Sequence, residues 1–73
     1  MLFSGNVQTI EDASGKVSSG EKVEYAFNNE QALIDYMLTH DYVYLGKYDN
    51  DELIFNKMLN HWQHKRLVLK AKK

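Results

Sequence analysis

Polar and apolar residues alternate most regularly over residues 22–27. Val23, Tyr25 and Phe27 take one side there, and Lys22, Glu24 and Ala26 the other. A period of two marks a strand with one face in a core. Residues 2–10 repeat the pattern less cleanly, with Phe3, Val7 and Thr9 on one face and Gly5 between them. A glycine inside a strand signals a bulge or the close approach of another backbone. Between these segments Ser14, Gly15, Ser18, Ser19 and Gly20 cluster as turn residues do, so residues 11–20 read as a polar loop joining two antiparallel strands.

Beyond residue 27 the period changes. Leu33, Ile34, Met37 and Leu38 fall at i, i+1, i+4 and i+5, the stripe of a helix packed on a sheet. Asn28 or Asn29 supplies the cap. Asn28 with Gln31 resembles a capping box, and Glu30 suits the positive end of the helix dipole. The helix is expected over residues 30–39, with Asp35 off the stripe and solvated. Residues 42–48 read as a third strand, apolar on both faces: Val43 and Leu45 on one, Tyr42 and Tyr44 on the other. Such a strand is expected to be central, or to have its second face covered. Asp49-Asn50-Asp51 forms the turn that follows.

Residues 52–62 fit two patterns. Ile54, Phe55, Met58, Leu59 and Trp62 match a helix capped by Asn50 or Asp51, and this longer match is favoured. The alternative is a strand over 52–59 with Leu53, Phe55 and Leu59 on one face, interrupted by Lys57 and hairpinned to the third strand. Residues 66–71 close the chain as a strand, with Leu67, Leu69 and Ala71 against Val68 and Lys70. The order is β-β-α-β-α-β, or β-β-α-β-β-β in the alternative. Either gives one domain over residues 1–73, a small two-layer α+β fold. A mostly antiparallel sheet of about four strands packs on one or two helices. The other face of the sheet is expected to stay open unless a partner covers it.

Length and composition sharpen this picture. A chain of 73 residues builds a thin core. It has no cysteine, which removes disulfides and cysteine-ligated zinc as supports and leaves packing or a second chain. The lack of cysteine also fits a reducing compartment. Residues 1–6 lack the basic start and apolar run of a signal peptide. Apolar runs such as Leu53-Ile54-Phe55 fall far short of the ~20 residues that cross a bilayer. A cytoplasmic protein with no membrane association is expected. The net charge of −1 conceals an asymmetry. Residues 1–52 carry ten acids against Lys16, Lys22 and Lys47, or −7, whereas residues 53–73 carry six bases and no acid, or +6. Either the two halves neutralise one another in the fold or one of them meets a charged partner.

Candidate chemistry gathers near the C-terminal end. On a helix, His61 and His64 would share a face and could reach one metal, yet further ligands would have to come from His40 or an acid of the first half. With Lys65 and Arg66 the same histidines could form a small RNase-like site, His40 joining them. No P-loop, nucleophile elbow or EF-hand spacing is present. The expectation is therefore no catalytic residue, no metal and no cofactor. Trp62, Lys65, Arg66, Lys70, Lys72 and Lys73 form a basic segment with one aromatic that could contact nucleic acid. The same lysines equally suit a protected sheet edge. Nine aromatics in 73 residues exceed what a thin core hides. If Tyr42, Tyr44 and Tyr48 line the face away from the helices, that face is a candidate protein interface. The favoured reading is a non-enzymatic interaction module that homodimerises or binds a larger protein, of the small inhibitor or adaptor kind that phages and mobile elements carry. Nucleic-acid binding is the alternative.

Overall fold

The computed structural model describes residues 1–18 and 20–72. Strand β1 (Leu2–Glu11) and strand β2 (Glu21–Ala26) form an antiparallel pair joined by the polar loop. Helix α1 (Glu30–Thr39) follows, then β3 (Val43–Lys47), β4 (Glu52–Asn60) and β5 (Gln63–Lys72). All five strands lie in one antiparallel sheet of order β2-β1-β5-β4-β3. This is a small α+β domain with five strands and one helix, the alternative order of elements, rather than about four strands with a possible second helix.

The correction falls on residues 52–62. The helical stripe drawn through Ile54, Phe55, Met58, Leu59 and Trp62 is absent, and residues 52–60 form a strand bonded on both sides, to β3 and to β5. Strand geometry buries Leu53 and Phe55 together and turns Ile54 and Asn56 to the opposite face. A helix would have had to bury Met58 and Trp62, both 63% exposed, and α1 leaves no second apolar layer to receive them. The preceding turn enforces the hairpin. Asp51 N–H donates to the Tyr48 carbonyl, and Asp51 adopts φ 65°, the left-handed position of a three-residue hairpin loop.

Residues 30–39 form the helix as expected. Its cap is Asn29, whose side chain accepts the Ala32 N–H at 2.9 Å. Gln31 turns instead to Asp35. Leu33 and Met37 are buried against Phe3, Leu53, Phe55, Leu67 and Leu69 from three strands. Gly5 lies in β1 opposite Leu69, and a Cβ placed on it would lie 1.7 Å from the Val68 carbonyl oxygen. Of the bulge and the close backbone approach that a strand glycine signals, Gly5 makes the second.

β3 is an edge strand, not a central one. It bonds to β4 alone, and its register shifts between Tyr44 and Gly46. The extra residue at Leu45–Gly46, with Gly46 at φ 117°, is a bulge that carries Tyr44 and then Lys47 back to the helix side.

Candidate interaction surface

Alternation along each strand sorts the molecule into two faces. The helix side carries Phe3, Tyr25, Leu53, Phe55, Leu67 and Leu69. No helix or second sheet among the described residues packs on the opposite side, although Asp12 reaches His64 at one end of it. On it, β4 and β5 align Glu52 with Lys70, Ile54 with Val68, Asn56 with Arg66, and Met58 with His64. β1 continues these rows with Ser4, Asn6, Gln8 and Ile10. At the far edge Val43 and Leu45 project outward, 59% and 44% exposed. An aliphatic strip thus runs from Val68 and Ile54 in the middle of the face to Val43 and Leu45 at its β3 edge, bounded by charged and amide rows.

Arg66 sits beside this aliphatic strip. Its side chain is partly buried, and its Nε donates to Asn56 Oδ1 at 3.5 Å. A guanidinium carries five donors in a planar fork. No carboxylate forms an ion pair with Arg66 among the described residues. Glu24 and Lys72 approach at 3.9 Å on the same face. With Ser4, Asn6 and Lys22 they border a shallow concavity of about 510 Å³.

The tyrosines sit elsewhere. The condition set for Tyr42 and Tyr44, that they line the face away from the helix, does not hold. Both pack half-buried against the core, Tyr44 with its ring 5.1 Å from Phe55 and Tyr42 beneath the Lys57 ammonium at 5.6 Å. Burial raises the Tyr42 and Tyr25 hydroxyl pKa values, assisted by the neighbouring Tyr25 and Tyr36 respectively. Tyr48, at the β3–β4 turn, is 55% exposed.

Strand alternation also divides the basic segment. Lys65 faces the helix side, directly opposite Lys57, whereas Arg66, Lys70 and Lys72 face the open side. Trp62 occupies the tip of the β4–β5 hairpin, not a core stripe, and its carbonyl accepts the Asp12 N–H at 2.7 Å. Lys73 lies outside the described residues. No tryptophan or tyrosine stands among the strand residues on the open face, so the stacking platform and most of the cations are on different surfaces.

The histidines separate too. His40 closes α1 and bonds through Nδ1 to the Tyr36 carbonyl. His61 lies beside Trp62 at the hairpin tip. His64 Nδ1 meets Asp12 Oδ1 at 2.7 Å, while its Nε2 is buried without a hydrogen-bond partner among the described residues. The shared helix face assumed for His61 and His64 does not exist. The two oppositely charged halves of the sequence meet within one chain, through β1–β5 pairing, His64–Asp12 and Lys72–Glu24.

Val43, Leu45, Ile54, Val68 and Glu52 were not singled out as surface residues from the sequence. The helical assignment placed Ile54 in the core, and only the two-residue period of residues 52–56 could have placed it correctly. The fold and this surface define a small α+β domain with one sheet face uncovered. No protein-family model, curated protein or solved structure matches the chain. No helix among the described residues is long and apolar enough to cross a membrane.

Proposed function

We propose that the protein is a non-enzymatic interaction module that presents the open sheet face to a protein partner. The observation that carries this reading is the strip of half-buried Ile54 and Val68 and exposed Val43 and Leu45 beside Arg66, on a sheet face that no helix among the described residues packs against. Aliphatic side chains next to a guanidinium with unused donors are what a protein interface desolvates at its centre. The test is a photo-crosslinking residue at position 45, compared with one at position 35 on the exposed side of α1, in the cells that make the protein. Discrete protein adducts from position 45 and none from position 35 are expected. Identical adducts from both positions, or none from either, would overturn the reading.

A second reading, single-stranded nucleic acid, draws on the exposure of Trp62 and on the unscreened Lys57–Lys65 pair. Trp62 is the only tryptophan, so its fluorescence reports this directly. Quenching by a mixed oligonucleotide that fades between about 50 and 200 mM salt would favour it. Under the leading reading, fluorescence is unchanged.

A further inference from the structure

We infer that the occupant of the open face is a second copy of this chain, docked about a two-fold axis that runs along the strands midway between β4 and β5. The inference rests on the interaction reading above and names its partner. Its basis is the self-complementarity of the cross-strand rows. Such an axis exchanges β4 and β5 between facing copies and preserves the level along the strands. Each Lys70 then lies over the partner's Glu52, each Val68 over the partner's Ile54, and each Arg66 over the partner's Asn56. One row supplies two opposite-charge pairs, the next an apolar centre, and the third gives the guanidinium donors an amide oxygen to meet.

Other two-fold placements do worse. An axis across the strands at the level of Val68 stacks β5 on β5 and sets Arg66 against the partner's Lys70. An axis along β5 itself sets Lys70 against the partner's Lys70. Like charges brought together oppose docking, so the face disfavours both of these arrangements and favours the one proposed. Sheets that pack face to face keep their strands within about 30° of one another. The rows named here lie next to the axis, where such a rotation displaces them least.

The area fits a weak, reversible dimer. In this arrangement β1 lies over the partner's β3, and β2 overhangs. The five residues of β3 limit the overlap with β1 and the nine of β4 the overlap with β5, so the covered footprint is about 440 Å² per copy at ordinary strand rise and spacing. Two copies together cover about 900 Å², the range of weak, transient associations. Val43 and Leu45, the most exposed aliphatic residues of the face, come under the partner's β1.

The test uses two charge variants of the full chain, Glu52→Lys and Lys70→Glu. Masses are measured by light scattering across about 5–500 μM, a range that brackets micromolar dissociation constants. The wild type is expected at two chains. Each variant alone sets like charges over one another twice and should dissociate at least about tenfold more readily. An equimolar mixture of the two variants should restore the two-chain mass, because Lys70 of one then meets the partner's Glu52-bearing row and both altered positions find opposite charge. Within each variant chain the 52–70 pair is like-charged, so restoration on mixing cannot come from contacts inside a subunit.

A wild-type dimer that neither variant weakens would overturn the arrangement. A wild type monomeric throughout, with crosslinks from position 45 to a different protein, would overturn self-docking and leave the interaction reading standing. A monomer with no adduct from position 45 would overturn both.

Discussion

Gly5 shows how much one position can decide. A side chain there has no room, since its first carbon would lie 1.7 Å from a backbone oxygen of the neighbouring strand. Backbone, unlike a flexible side chain, cannot swing aside. Gly5→Ala is expected to cost about 3 kcal/mol or more, at the upper end of overpacking penalties. Urea denaturation reads this as a fall in midpoint. The sequence narrowed Gly5, lying among Phe3, Val7 and Thr9, to a bulge or a close backbone approach, and the pairing of β1 with β5 decides for the second. The placement of Tyr42 and Tyr44 was not. Alternation gives two sets of residues but not which set faces the helix. That choice is made by the bulge at Leu45–Gly46, which Gly46 marks only as a local irregularity, and by pairing with Phe55, which leaves no local signature.

Among the elements, α1 and the β4 segment lie at opposite ends of legibility. The helix had an apolar stripe, an asparagine cap and an acid in its first turn, all acting locally, although only Leu33 and Met37 of the stripe are fully buried and Leu38 is 50% exposed. Residues 52–62 had a helical stripe by coincidence. What overrode it was bonding to β5, whose partner residues lie up to 18 positions away, as for Glu52 and Lys70. The end of α1 also carries a correctable weakness. Asp41 follows the C-cap at φ 67°, a left-handed conformation that glycine enters freely and other residues do not, and it places an acidic residue next to the negative end of the helix dipole. Asp41→Gly removes both penalties and is expected to stabilise the protein by about 0.5–1 kcal/mol, net of the added unfolded-state freedom. A thermal midpoint raised by a few degrees would show it. No change would mean that the aspartate compensates for its conformation locally.

Across the whole molecule, three groups set the alkaline limit in the same direction. Tyr25 and Tyr42 hold their protons more tightly when folded, chiefly because burial disfavours the phenolate. Lys47 also holds its proton, chiefly through its 2.9 Å hydrogen bond to Glu30 and then through that residue's charge. In each case the folded state binds more protons than the unfolded chain above about pH 10, so stability falls as pH rises. For Lys47 the contribution is fully present below the unfolded lysine value and is lost as pH climbs through the raised folded one. Thermal midpoints should be level between pH 7 and 9 and drop beyond about pH 10. The Tyr25→Phe, Tyr42→Phe double variant should flatten part of that drop, and an unchanged slope would remove the tyrosines from the account. The same scale explains why the candidate surface was hard to read. The rows Glu52–Lys70 and Ile54–Val68 exist only once β4 and β5 are paired, so no sequence window contains either row together with its geometry.

The pairing of β1 with β5, which sets Leu2 opposite Lys72, also fixes a schedule for synthesis. β5 is the last of the described strands to leave the ribosome, yet it lies at the centre of the sheet and is the strand that hydrogen-bonds to both the β1–β2 and the β3–β4 hairpin. At elongation rates of about 5–20 residues per second the β1–β2 hairpin waits several seconds and the β3–β4 hairpin about one or two, each with an unpaired inner edge and half a core. A nascent chain stalled before residue 63 would hold two adhesive fragments and no sheet. The basic strand that completes the fold also ends its exposure to aggregation.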